Sequence, residues 1–384
     1  MTALSDRAAE RTASLSGGRA KGAPAERFIS VVIPNRNGAA TIGRCLTAAF
    51  ASDYGRFEVV VVDDASEDGS VETIATFPCR LVRLGRHGGV SRARNAGARA
   101  SSGELLFFID ADCLLGRETL SVANASYGEG GNRVLGGTYT PTPADGDFFS
   151  RFQSVFIHHF ETKRKDPDYL AAHAMMVDAR LFERSGGFVE DSFIGVAASV
   201  EDVELCHRLR RAGCELVMDR EIQVQHVFRF SLRRSLRNAV KKSRFWTTYS
   251  LFNRDLLADS GAASRELKAN VFLGALQTLL LAWSAASGSA WPLAPVLPLL
   301  AVNLLANRGL VAAWFGNGGF VFSALATLYY TTLYAAAVAV GAAAGVVSFA
   351  WRVKRPRRIR SCTPRSGTCL PSSPRRDPST SPSS

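Results

Sequence analysis

An unbroken apolar stretch, Leu105-Leu106-Phe107-Phe108-Ile109, ends abruptly on Asp110-Ala111-Asp112. Five apolar residues with no polar alternation suit a strand covered on both faces, as in parallel sheets flanked by helices. In open α/β sheets ligands collect beyond the carboxyl ends of the strands, and two carboxylates fall there. Hard oxygen ligands suit Mg²⁺ or Mn²⁺, and such an ion suits a diphosphate. Carboxylates often terminate strands, so the pair gains meaning only from its surroundings.

Those surroundings are regular. Residues 28–33, halted at Pro34, and residues 57–63, 80–84 and 104–109 read as strands. Helical segments separate them at 37–50, 68–76 and 90–100. The alternation predicts an α/β fold: a mixed, mostly parallel sheet with helices on both faces. Further on, 134–139 and 174–177 read as strands, 148–161 as an aromatic-rich helix, and a short helix leads to Gly186-Gly187. The segment 200–212 is a helix with acids at its start and arginines at its end, as the helix dipole favours.

A second carboxylate pair, Asp63-Asp64, closes the second strand, and Ser66 follows. These residues either cap the next helix or reach a ligand, and capping does not exclude binding. Gly88-Gly89 opens the helix that carries Arg92 and Arg94, which puts N–H donors and cations where a phosphate could sit. If strands one, two and four are neighbours, both acidic ends open into one crevice.

The formal charge of +12 is concentrated in two places. Seven Lys/Arg and no acid lie in 229–244, and nine Lys/Arg against Asp377 lie in 352–384. Both clusters flank apolar sequence, which favours an anionic membrane surface and argues against nucleic acid. Residues 270–287, 290–307 and 320–351 carry no charge and read as membrane helices, two to four spans in all. The third run is too long for one upright helix, so it is expected either to tilt or to break near Gly341 or Gly345 and return. Phe228, Leu232, Leu236 and Val240 recur every four residues, the pattern of an interfacial amphipathic helix. No apolar signal-peptide core is visible in 1–27, which reads as disordered. The seven cysteines lack metal or disulfide spacing, consistent with a reduced compartment. The expected organisation is a disordered segment 1–27, a catalytic α/β domain 28–228, a basic interfacial helix and linker 229–268, a transmembrane region 269–351 and a basic tail 352–384.

Six motifs occur in order: Val31-Val32-Ile33-Pro34-Asn35-Arg36-Asn37, Val61-Val62-Asp63-Asp64-Ala65-Ser66, Arg94-Asn95-Ala96-Gly97, Gly103-Glu104 through Asp112, Gly186-Gly187-Phe188, and Glu201-Asp202-Val203-Glu204-Leu205. Over about residues 28–228 the chain resembles the inverting glycosyltransferases of family 2, which share the GT-A fold. That resemblance implies a nucleotide-diphosphate sugar donor, Mg²⁺ or Mn²⁺ at the Asp-x-Asp, and a single inverting displacement. It implies that Pro34, Asn35, Asp63, Asp64, Arg94 and Asp110 meet the nucleotide-sugar. Asp112, with Asp110 and His226, would hold the metal, and Asp202 beside Glu201 would be the general base. His173 stands where the family usually has a small residue or Asn, so it is expected to bear on acceptor choice. The loop 193–199 also departs from the family pattern.

The resulting expectation is a multi-pass inner-membrane enzyme with a cytoplasmic catalytic face, acting on a lipid-linked or envelope-glycan acceptor. A processive polysaccharide synthase is the nearest alternative, but its Gln-x-x-Arg-Trp motif does not assemble from Gln225 and Arg244-Phe245-Trp246. A non-catalytic nucleotide-binding membrane protein is the other.

Overall fold

The structure is a computed structural model that describes residues 25–128, 131–190 and 197–353. Most of the segment 1–27, most of the loop 193–199 and nearly all of the tail 352–384 lie outside the described residues.

The first half alternates β1 (Ile29–Asn35), α1 (Ile42–Phe50), β2 (Phe57–Asp63), α2 (Ser70–Ile74), β3 (Arg80–Arg83), α3 (Val90–Ala100) and β4 (Leu105–Ile109). Next come β5 (Cys113–Leu115), α4 (Thr119–Tyr127), β6 (Arg133–Tyr139), α5 (Phe148–Glu161), β7 (Ala174–Asp178), α6 (Ala179–Arg184), α7 (Ala197–Arg211) and β8 (Glu215–His226). Among the described residues these strands make one sheet in the order β3-β2-β1-β4-β7-β6-β8-β5. The first four are parallel, and β7 turns the sheet antiparallel on both its sides. Strands one, two and four are therefore neighbours, as the crevice argument required. Residues 59–62 and 105–109 are buried throughout, which accounts for their lack of alternation.

Two sequence boundaries move for physical reasons. Strand β1 runs through Pro34, because its pairing with β4 ends at Val32↔Phe108 and the proline has no ladder bond to lose on that side. The helix expected from residue 37 begins at Ile42. Asn37 adopts φ 48°, and the Gly38 carbonyl accepts from the Thr41 and Ile42 N–H groups, making a turn first.

The C-terminal third is helical: α8 (Leu232–Asn253), α9 (Arg265–Ser287), a 3₁₀ turn (Trp291–Leu293), α10 (Val296–Ala306), α11 (Arg308–Tyr329), a π segment (Tyr330–Tyr334) and α12 (Ala335–Val353). Two stretches among the described residues are long and apolar enough to cross a membrane by length and composition, Arg265–Ser287 and Arg308–Val353. The apolar helix Trp291–Ala306 is shorter. The third apolar run does not break at Gly341 or Gly345. It joins a helix starting at Arg308, and the kink is at Gly319, whose φ is 73°.

Gly341 and Gly345 have another task. Helix α8 does not turn the Leu232–Leu236–Val240 stripe wholly outward, as an interfacial helix would: Leu232 is exposed, Leu236 and Val240 are partly buried against the core, and the fully buried face includes Ser235, Ala239, Thr247 and Thr248. That small-residue face lies along α12, so the two helices approach more closely than bulky side chains permit. A Cβ at Gly341 would overlap Ser243 Oγ and the Val240 carbonyl, and one at Gly345 would lie 2.7 Å from both the Arg244 carbonyl and Thr247 Cβ. Thr248 Oγ1 donates to the Gly345 carbonyl at 3.1 Å. Gly341→Leu should force the pair apart and cost about 1–3 kcal/mol, read as a lowered melting temperature of the full chain.

Helix α5 is the other docking surface for these helices. Phe152 stacks on Trp314 at 5.2 Å and meets Tyr329 and Tyr334 edge-on at 4.9 and 5.2 Å. The π segment frees a carbonyl, and Asn270 Nδ2 donates to it, at Tyr330, at 2.9 Å. Asn303, Asn307 and the Tyr330 hydroxyl extend this buried polar layer.

Candidate active site

The carboxyl ends of β1, β2 and β4 deliver Asn35, Asp63-Asp64 and Asp110-Ala111-Asp112 to one edge of the sheet. Asp63 is buried and locally engaged: Oδ1 accepts from Asn35 Nδ2 at 3.1 Å and Oδ2 from the Ser66 N–H at 3.1 Å. Here the capping alternative describes the contacts Asp63 makes. Asn35 Oδ1 is buried with no partner, and Pro34 precedes Asn35 at the end of β1. Asp64 accepts from the Gly88 and Gly89 N–H groups at 2.7 and 2.8 Å and faces His87 Nδ1 at 2.7 Å. The glycine turn expected to meet a phosphate is thus folded onto Asp64.

Arg94, on α3, is buried and joins the two acidic motifs. Nη2 donates to Asp110 Oδ1 and Nη1 to Glu201 Oε1, each at 2.6 Å. Its guanidinium lies over the Phe188 ring at 5.4 Å, which gives the Gly186-Gly187-Phe188 motif a place in the site. Burial works against the Arg94 charge, but Asp110, Glu201 and Asp202 outweigh it and raise its pKa further. Burial likewise works to raise the Asp110 carboxyl; Arg94, helped by His173 and His226, overcomes it and holds that group below the ordinary carboxylate range. Glu201 and Asp202 are both raised, chiefly by burial, with Arg94 pulling the other way.

Asp202 is the more open of the Glu201–Asp202 pair. Its Oδ2 accepts from the Ala172 N–H at 3.4 Å and its Oδ1 from the Val203 N–H at 2.9 Å. The Ala172 contact places the His173 loop against it. His173 stacks on Tyr139 at 3.9 Å, with Nε2 3.4 Å from Glu161 Oε2.

Strand pairing builds the metal-side cluster. Cys113 on β5 lies opposite His226 on β8, and the Val227 N–H donates to the Asp112 carbonyl at 2.8 Å. Ligand atoms of Asp112, Cys113 and His226 then fall within 4.8 Å of one another. Burial pushes the Cys113 thiol well above its usual pKa, leaving it protonated and a poor partner for a hard cation. His226 drops to about 3, mainly through burial, so its imidazole is neutral and free to bind a metal. Its Nδ1 is buried without a partner and its Nε2 lies 3.5 Å from Asp112 Oδ1. Asp112 is pushed up to about 7 by burial and by the neighbouring Asp110 charge. A carboxylate crowded by a second carboxylate beside a neutral imidazole fits a divalent cation, whose charge would relieve both effects. Asp110 has given one oxygen to Arg94, so it can offer a cation the other.

The sequence reading did not anticipate Tyr139, Glu161 or His87. It also gave α8 no part in the site, yet Arg234 acts electrostatically on Asp112 and Lys242 on Asp202 and His226. The spacing of Arg234, Asn238 and Lys242, one helical turn apart each, was the available signal.

The profile described as Glycosyl transferase family 2 matches residues 30–186. Glycosyltransferase AglE of Haloferax volcanii is 29% identical over 235 residues, 54% of this chain and 77% of that protein. Validoxylamine A glucosyltransferase of Streptomyces hygroscopicus subsp. jinggangensis is 32% identical over 232 residues, 50% of this chain and 54% of that protein. The chain spans only 29% of an uncharacterized Haemophilus influenzae glycosyltransferase and 25% of the Rhizobium meliloti succinoglycan biosynthesis protein ExoO. Among solved structures, the mannosyltransferase PcManGT from Pyrobaculum calidifontis, in complex with GDP-Man and Mn²⁺, aligns with a TM-score of 0.52 at 19% identity, over 91% of this chain and 94% of that one. With its ordered motifs and its GT-A-type mixed sheet, this chain is similar over residues 30–186 to glycosyl transferase family 2.

Proposed function

We propose that the enzyme transfers one sugar from a nucleotide-diphosphate sugar to a hydroxyl of a lipid-linked or envelope-glycan acceptor, with inversion, at the cytoplasmic face of a membrane. The observation that carries this reading is the Arg94 bridge, which ties the donor-side Asp110 to the acceptor-side Glu201 through two 2.6 Å contacts. It leaves Asp202 next in line, half-open and fixed by two backbone N–H groups.

In this reading Pro34, Asn35, Asp63 and Asp64 form the nucleotide end of the cleft, and the Asn35 oxygen is the unused acceptor there. Asp202 removes the proton from the acceptor hydroxyl as that oxygen bonds to the anomeric carbon and the bond to the diphosphate breaks on the opposite face. Glu201 positions Arg94 and stays in its ion pair. Asp112, His226 and the second oxygen of Asp110 would hold Mg²⁺ or Mn²⁺, which when bound supplies charge neutralisation for the departing diphosphate. The membrane part of the proposal rests on the basic helix α8 and on the apolar residues exposed from 272 to 353.

A panel of nucleotide sugars offered with Mn²⁺ or Mg²⁺ to the full chain tests it; binding and turnover of none of them would end the proposal. The pH dependence provides a second check. Asp202 must be ionised to accept a proton, and burial raises its pKa. Activity should therefore climb as pH rises, with the acid limb displaced above the ordinary carboxylate range and a plateau beyond it. Plotting kcat/KM against pH reads this directly.

A further inference from the structure

Residues 320–353 form a 34-residue helical stretch, interrupted only by the π segment, and one side of it is covered from Phe322 as far as Phe349. Phe322, Ala326 and Tyr329 pack towards α5, Tyr330 and Tyr334 follow, and Ala337, Gly341 and Gly345 lie buried along α8. The opposite side is apolar and exposed along the same length: Val321, Leu325, Leu328, Leu333, Val340 and Val347 are each more than half exposed. At about 1.5 Å per residue the stretch is about 51 Å long, against about 30 Å for a hydrocarbon core. A crossing helix meets lipid or other buried helices along its span, whereas this one is backed by a soluble domain and by a helix bearing exposed Arg233, Arg237 and Lys241. Those cations could not follow it across a bilayer.

The hairpin of α9 and α10 behaves differently. From Asn270 to Asn307 it carries no charge, and Phe272, Leu279, Leu297 and Leu305 are exposed. Its tip satisfies its own carbonyls: Ser284 Oγ donates to Ser289 O at 2.7 Å and Ser287 Oγ to Trp283 O at 2.8 Å. Trp283 and Trp291 pair there at 4.6 Å. Its base is the Asn270–Asn303–Asn307 layer, directly beside Tyr330 of the long stretch.

Building on the membrane-bound reading above, we propose that the surface formed by the outer side of residues 320–353 docks flat on an anionic bilayer, with the α9–α10 hairpin inserted beside it. The longest apolar run of the chain is then an in-plane helix, and only the hairpin enters the hydrocarbon. The occupant is a bilayer because the exposed row runs into an uncharged hairpin and lies next to helix α8, which carries six cations and no acid.

The test uses the full chain carrying C79S, C362S and C369S, with NBD attached at one introduced cysteine at a time, V321C, L328C, V340C or V347C, mixed with phosphatidylglycerol/phosphatidylcholine vesicles and shallow or deep spin-labelled lipids. Expected are flotation with the vesicles and the same shallow depth at all four positions. Flotation with depth graded along the row, deepest in the middle, would show a span and overturn this proposal while leaving membrane attachment intact. Failure to float, with or without a stable dimer that shields the row, would overturn both.

Discussion

Asp202→Asn should slow sugar transfer about 10²–10⁴-fold, the usual worth of a positioned general base. Asparagine has the same shape, and its carbonyl oxygen can still accept from the Ala172 N–H that holds Asp202 at 3.4 Å. What it lacks is a site for the acceptor's proton. Donor affinity, measured calorimetrically with the nucleotide sugar and metal, should stay within a few-fold of the parent, because Asn35, Asp63 and Asp112 are untouched. Unchanged turnover would remove Asp202 from the reaction. Loss of donor binding together with turnover would mean the residue holds the site together and is no base.

Arg94→Met should be the most destabilising single change near the cleft. The guanidinium is buried and neutralises two carboxylates at 2.6 Å, one of them almost fully enclosed. Removing one member of a buried ion pair leaves uncompensated charge and costs about 3–5 kcal/mol. Glu201 Oε2 already lacks a partner, so the variant strands both oxygens of that group. Denaturant unfolding in detergent should show the midpoint fall. Arg94→Lys should recover only part of the loss, since one ammonium cannot reproduce a fork that reaches Asp110 and Glu201 at once. A stability equal to the parent would show that the bridge contributes nothing to the fold.

Much of this site was legible in the residues. Strand-length apolar runs ending in Asp63-Asp64 and Asp110-Ala111-Asp112 give both the sheet and its acidic edge, because strand burial and strand ends are local properties. The meeting of Arg94 with Glu201 is long-range, across 107 residues of chain, and only the family resemblance brought the two motifs into one cleft. The β5–β8 pairing that puts His226 against Asp112 was invisible for the same reason, and β5 itself is only three residues long. In the C-terminal third, hydropathy located the helices but not the contact between α8 and α12. Leu232, Leu236 and Val240 read as a lipid-facing stripe, but close approach of two backbones decided the packing and partly buries Leu236 and Val240; Gly341 and Gly345, one option for a break, are the points of closest approach.

The short run from Asp112 through β5 and β8 to α8 has a mechanical meaning. The Asp112 carbonyl is hydrogen-bonded to the Val227 N–H, and α8 starts five residues later. One piece of backbone therefore holds the main chain of Asp112 at its upstream end and feeds a cationic helix at its downstream end. Were a surface to tilt that helix and shift the anchored peptide, linkage would require the dependence to run both ways: donor affinity would change with the surface, and affinity for the surface with donor occupancy, by the same factor.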